Sequence, residues 1–121
     1  MRISQELRDR TKAFSSSVIR LFIGLPVKRV EVEVIGKQLL RSGTSVASHT
    51  REASRARSDA EFCSKLDVLL QEADESMLWL EHLNEDCGIS SGQIEPIHQE
   101  CDELIAIFTT IVAKVRRSLK S

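Results

Sequence analysis

The side chains able to do chemistry are few in this 121-residue chain, and most lack the spacing that chemistry demands. Glu95-Pro96-Ile97-His98 has the Glu-x-x-His spacing of a di-iron helix. Such a site needs a second motif of the same kind and two further inward glutamates. Neither is found, and His98 sits at the edge of an apolar stripe rather than on it. His49 and His82 have no partner at ligand spacing, so no metal is expected. Cys63, Cys87 and Cys101 form no CxxC pair. Cys63 falls in the first turn of a helix, where a thiolate is stabilised, but Asp59 and Glu61 oppose its ionisation. Cys101 lies on an apolar stripe and reads as core packing. The five glycines make neither GxGxxG nor GxxxxGK, which removes the known phosphate loops. With no convergent acid, base and nucleophile, the chain reads as non-enzymatic, without cofactor or small-molecule substrate.

The arginines carry more. Arg41, Arg51, Arg55 and Arg57, with His49 among them, would form an interrupted basic ridge along one helix. Arg51 and Arg55 are one turn apart, with Ser48 and Thr50 close by. A ridge of this kind suits a phosphate backbone, where affinity comes from released counterions. The competing reading is solvation, or pairing with the acidic residues that follow. Residues 58–87 carry a net charge of −8, against +3 for 1–27, +4 for 28–57 and zero for 88–121. The total is only −1, which argues against a general polyanion binder but leaves room for a basic face. No aromatic side chain interleaves the arginines, so base stacking is not indicated.

Four helical segments must position these groups. Over 5–25, Leu7, Phe14, Val18, Leu21, Phe22 and Leu25 recur at helical spacing, and Gly24 and Pro26 stop the pattern. Over 29–57 the inner face is marked by Val34, Ile35, Leu39, Val46, Ala47, Ala53 and Ala56. Gly43 interrupts that segment without ending it, because periodicity resumes beyond it; the reading is that a neighbouring helix comes close there. Residues 42–48 are small throughout. Over 58–87, Ser58 and Glu61 make a capping box, in which each side chain is expected to bond the other's backbone N–H. Phe62, Leu66, Leu69, Leu70, Ala73, Met77, Leu80 and Leu83 follow as a stripe, and Gly88 ends it. Over 92–119, Pro96 is expected within the first turn. Ile97, Cys101, Leu104, Ile105, Phe108, Ile111, Val112, Val115 and Leu119 face inward. Connections this short force neighbours to run antiparallel, so the fold is expected to be all-α, an antiparallel up-and-down four-helix bundle of one domain, 1–121.

Hydrophobic residues make up 41% of the chain and aromatics 4%, which suits a helical core better than a sheet. An odd number of unpaired cysteines points to a reducing compartment. The mixed-charge start resembles neither a leader nor an anchor, and no apolar run is long enough to span a bilayer. A cytoplasmic protein with no membrane contact is expected. Trp79, flanked by Leu78 and Leu80, makes the third helix apolar on more than one stripe. The small surface around Ser45 adds a second flat face. Ser45 and Trp79 are therefore expected at an oligomer interface.

The segment 38–83 also carries a family resemblance. Gln38-Leu39, Arg41-Ser42 with Ser45-Val46, Glu52-Ala53, and Ser58 with Glu61-Phe62 are followed by an acidic-hydrophobic helix from Glu72-Ala73 onward. This pattern resembles bacterial four-helix-bundle proteins encoded by intervening sequences within large-subunit ribosomal RNA genes. Many of these carry Asn one turn before the Glu-Ala step, where this chain has Ser48-His49. The resemblance implies a homo-oligomer, often a ring of five, and no catalytic residues. Accessory proteins of diversity-generating retroelements share the fold and bind nucleic acid and a reverse transcriptase, but are strongly basic. With a pI of about 6.3, this chain is expected not to take that role.

The residues and the resemblance together imply a non-enzymatic, pentameric adaptor or scaffold that binds structured RNA or other nucleic acid through the basic ridge. The alternative is a protein–protein interaction module that never touches nucleic acid.

Overall fold

The computed structural model describes residues 3–120, and these form four helices: α1 (Gln5–Ile23), α2 (Val30–Ser54), α3 (Asp59–Glu85) and α4 (Ser91–Leu119). They pack in cyclic order. α2 lies most closely against α3, α3 against α4 and α1 against α2, while α4 closes more thinly on α1. The diagonal pairs make no close backbone approach among the described residues. This is the expected antiparallel bundle.

Each helix has a local reason to start and stop. The Ser4 hydroxyl accepts the Leu7 N–H (3.1 Å) and caps α1. Ser58 does the same for Glu61 (3.1 Å) at the head of α3. The Glu61 carboxylate turns back onto the Arg57 N–H (3.4 Å). α2 ends at Ser54, short of 57, since the chain must be extended at Ser58 (φ −151°) to open α3. Gly88 has φ +72° beyond α3, and the Ile89 N–H then bonds back to the Leu83 carbonyl (2.9 Å). α4 starts at Ser91, so Pro96 lies in its second turn rather than its first. The N–H it lacks would have bonded the carbonyl of Gly92, an exposed position.

The buried positions follow a seven-residue repeat. On α2 the repeat is Val32, Gly36, Leu39, Gly43, Val46, Thr50 and Ala53, with Ser42 buried beside it. On α1 they include Leu7, Thr11, Phe14, Val18 and Leu21, with Leu25 just beyond. Alternate steps of four and three are the pattern of shallow left-handed packing. Val34 does not belong to that repeat on α2. It is 55% exposed, so its expected place on the inner face is corrected to Val32. Leu119, also expected inward, is half exposed in the last turn of α4.

Small residues on α2 let both neighbours close in. A methyl added at Gly43 would lie 2.9 Å from both Val18 methyl groups on α1. On the same helix pair, the buried Ser15 hydroxyl donates to the Gly43 carbonyl (2.9 Å). Toward α3, the Ser42 and Ser76 hydroxyls meet at 2.8 Å inside the core. Ser76 also donates to the Glu72 carbonyl (2.9 Å), which leaves its oxygen to accept from Ser42. Of the small surface at 42–48, Ser42, Gly43 and Val46 are thus taken up within the bundle, while Thr44, Ser45 and Ala47 are half-buried and Ser48 is exposed.

Candidate functional site

Antiparallel packing of α1 and α2 sets the start of α1 beside the end of α2. Between them is a cleft of about 230 Å³. Arg8 and Lys12 line it from α1, and Arg51 and Arg55 from α2. Each pair is spaced four residues apart, so both side chains lie on one helix face. The Arg8 guanidinium donates to the Gln5 side-chain oxygen (2.6 Å), and the Gln5 amide donates to Asp9 (2.8 Å). A shallower depression against Ala47, Ser48 and Glu52 shares Arg51 and Arg55.

The expected ridge does not form as one surface. Arg41 lies ten residues before Arg51, roughly 15 Å along the axis. It faces α3, where its guanidinium bonds Glu75 (2.9 Å) and Glu72 (3.1 Å). Those contacts, the Glu75 hydrogen bond foremost, raise its already high pKa further. His49 is held by Glu52 (Nδ1 to Oε2, 2.7 Å). Arg57 is exposed on the link after α2. Arg51 and Arg55 are different: among the described residues, neither guanidinium makes a hydrogen bond or ion pair with the protein. Of the competing reading, pairing with the acidic third helix describes Arg41, while solvation describes the exposed Arg51 and Arg55.

Sequence reasoning missed Arg8 and Lys12. The signal was present as a second cation pair at four-residue spacing, but only the register of α1 on α2 places it opposite Arg51 and Arg55. Nearby, Arg10 leaves the cleft altogether. It bonds Glu100 with two nitrogens (2.8 and 2.7 Å) and Glu103 (3.1 Å), tying α1 to α4 across their thin seam.

The remaining candidates lie on α2, α3 and α4. Trp79 is half-buried and packs against the core, with its Nε1 buried and unpartnered among the described residues. Ser45 is half-buried and donates to the Arg41 carbonyl (2.8 Å). The well-exposed large apolar side chains lie elsewhere, chiefly Ile23, Val27, Val30 and Val34 around the α1–α2 turn and Leu78 on α3. His98 bonds Glu81 (2.9 Å), and among the described residues no three His, Cys, Asp or Glu side chains gather as metal ligands. No helix there is long and apolar enough to cross a membrane.

All three cysteines are free and buried. Cys101 donates to the Ala73 carbonyl (3.3 Å), and burial pushes its thiol up from 9.0 to about 12, with Asp102, Asp74 and Glu100 adding to the shift. The raised value has a direct consequence for stability. Below pH 9 both folded and unfolded thiols are protonated and the full stability is present. Above it the unfolded chain loses a proton that the folded chain keeps, so stability falls by about 1.4 kcal/mol per pH unit until about pH 12. Urea unfolding at about pH 8 and about pH 10 should show wild type losing about 1 kcal/mol more than Cys101→Ala. Equal losses in the two proteins would contradict the assignment.

The comparisons with known proteins follow the same lines. A family model described as 23S rRNA-intervening sequence protein matches residues 4–110. A crystal structure from Bacteroides thetaiotaomicron VPI-5482, of a protein with unknown function from the S23 ribosomal protein family, is also similar. It is 35% identical, with a TM-score of 0.81, over 88% of this chain and 97% of that one. No curated protein matches.

Proposed function

The chain belongs to the 23S rRNA-intervening sequence protein family, and from that premise we propose that it is a non-enzymatic adaptor that binds structured RNA through the α1–α2 cleft. The observation that carries this reading is the state of Arg51 and Arg55. Two guanidinia without protein partners face two further cations, while Arg41, Arg10 and His49 are engaged by carboxylates. Phosphate contacts of this kind position a nucleic acid without reading its sequence. The adaptor works in the cytoplasm, in keeping with three free thiols.

In this proposal copies assemble side by side into a homopentamer. The exposed apolar side chains at the α1–α2 turn and Leu78, next to Trp79, are the surfaces available for burial. A ring then presents five clefts to one RNA, and the second contact gains from effective concentration rather than from new chemistry.

The test is fluorescence anisotropy with an RNA hairpin and a single-stranded DNA, with light scattering in the same buffers. Each phosphate seated in a cleft would weaken duplex binding about 3.5-fold between 50 and 200 mM salt, so a ring with five clefts engaged would lose about 500-fold. The scattering mass should be that of five 13.6-kDa chains. No binding at low salt would end the RNA reading. A second reading, a protein-interaction module, would then take its place, because Val27 and Val30 are 83% and 73% exposed on a surface separate from the cleft.

A further inference from the structure

The cations of the cleft are two facing pairs rather than a line. Arg8 and Lys12 bracket one turn of α1, and Arg51 and Arg55 bracket one turn of α2. Each pair spans roughly 6 Å of helix axis, the scale of one phosphate group. Four cations face a single carboxylate, that of Asp9, and it accepts from the Gln5 amide rather than from a guanidinium. The same Gln5 accepts from Arg8 Nη2 and so holds that guanidinium in place. Arg8 Nε is buried, and among the described residues its N–H has no acceptor. A buried charged donor without an acceptor is costly, and a modest turn of this half-buried side chain toward the cleft would let an oxyanion there supply one. No aromatic side chain lines the cleft, so the group it suits is a phosphate and not a base.

We propose that this cleft is a discrete phosphate-binding site built jointly by α1 and α2, with Arg8 and Lys12 as binding residues equal in standing to Arg51 and Arg55. It deepens the RNA-binding reading and rests on it for the larger ligand. The phosphate can be an internal diester of the RNA backbone or a terminal monoester, and the two are separable by experiment.

The first experiment titrates inorganic phosphate into the full-length ¹⁵N-labelled protein, with chloride at matched ionic strength as the control. Saturable shifts of the Arg8, Arg51 and Arg55 Nε–H resonances with phosphate alone are expected. Shifts equal to those with chloride would overturn the site. The second compares RNA of one sequence with a 5′-phosphate and with a 5′-hydroxyl. Equal affinity assigns the site to backbone diesters, and a preference of about tenfold or more for the 5′-phosphate assigns it to a terminal monoester. The third uses Arg8→Gln/Lys12→Gln, with the milder Lys12→Gln in case loss of Arg8 affects folding. The double variant should bind RNA about tenfold more weakly with a shallower salt dependence, and Lys12→Gln should show a smaller loss in the same direction.

These outcomes keep the two ideas apart. Wild-type affinity in both variants, with binding lost on charge reversal at Arg51 and Arg55, would sink the joint site and leave RNA binding through α2. Saturable phosphate shifts without RNA binding would leave the site and remove the RNA reading.

Discussion

An Arg51→Glu/Arg55→Glu variant is expected to bind structured RNA at least about 100-fold more weakly than wild type at low salt. The change removes two cations and adds two anions, four charge units, at a surface already facing phosphates. A unit charge pair 4 Å apart is worth about 1 kcal/mol in water and about 4 kcal/mol where solvent screens it less. Four units therefore amount to about 4 kcal/mol even under full screening, nearly three decades of affinity, and 100-fold leaves room for side-chain rearrangement. Both arginines are exposed and without protein partners, so stability should change by less than about 0.5 kcal/mol. Arg41→Ala is the matched control. Its guanidinium is already held by Glu72 and Glu75, so RNA affinity should stay within about threefold of wild type. Anisotropy titrations beside circular-dichroism melts decide the matter. Equal weakening by both changes would mean that the ion pairs to α3 do not occupy Arg41.

The second large effect concerns the α1–α2 contact that forms the cleft. Gly43→Leu should cost at least about 3 kcal/mol of unfolding free energy. The Cβ alone would sit 2.9 Å from both methyl groups of Val18, and the rest of the side chain has nowhere to go. Better helix propensity returns only about 1 kcal/mol. Val18→Ala by itself should be destabilising through the space it leaves. In the double variant the two defects partly cancel, so the combined loss should be smaller than the sum by about 1 kcal/mol or more. Urea unfolding of the four proteins measures this coupling. Strict additivity would contradict the proposed contact. Because the contact also sets the register of Arg8 on Arg51, Gly43→Leu should weaken RNA binding although it lies two turns from the cleft.

Much of this arrangement is legible in the amino-acid sequence because a bundle writes its core as a period. Leu7, Phe14, Val18 and Leu21 on α1, and Phe62, Leu66, Leu69, Ala73 and Leu80 on α3, are all buried as their spacing implies. Gly43 is legible too, since the pattern continues through it and only close packing explains a mid-helix glycine. Val34 misleads because Val32 and Val34 are equally apolar, and only the seven-residue register set by packing on both neighbours selects one of them. Pro96 misleads by a few residues, because α4 begins earlier than its apolar stripe does. Trp79 is ambiguous in another way: an aromatic ring can cover its own core or a partner's, and this half-buried ring packs on its own core while keeping an open side.

The site is less legible than the fold. Cation spacing along α2 groups Arg41 with Arg51, whereas the structure turns Arg41 toward the acidic face of α3 and leaves Arg51 for α1. Arg8 and Lys12 lie 43 and 39 residues from Arg51 in the chain. Their proximity is a property of helix register, which no local pattern encodes. Charge sums hide it as well, because Asp9 and Glu6 offset Arg8 and Lys12 in any count along α1.

The most direct test of the central claim is ultraviolet crosslinking of the wild-type protein to a 4-thiouridine-labelled RNA hairpin at low salt, with the attached peptides identified by mass spectrometry. The account predicts crosslinks confined to residues 5–12 at the start of α1 and 47–57 at the end of α2. Crosslinks concentrated on α3 or on the α1–α2 turn, or none at all under conditions where RNA is bound, would contradict it.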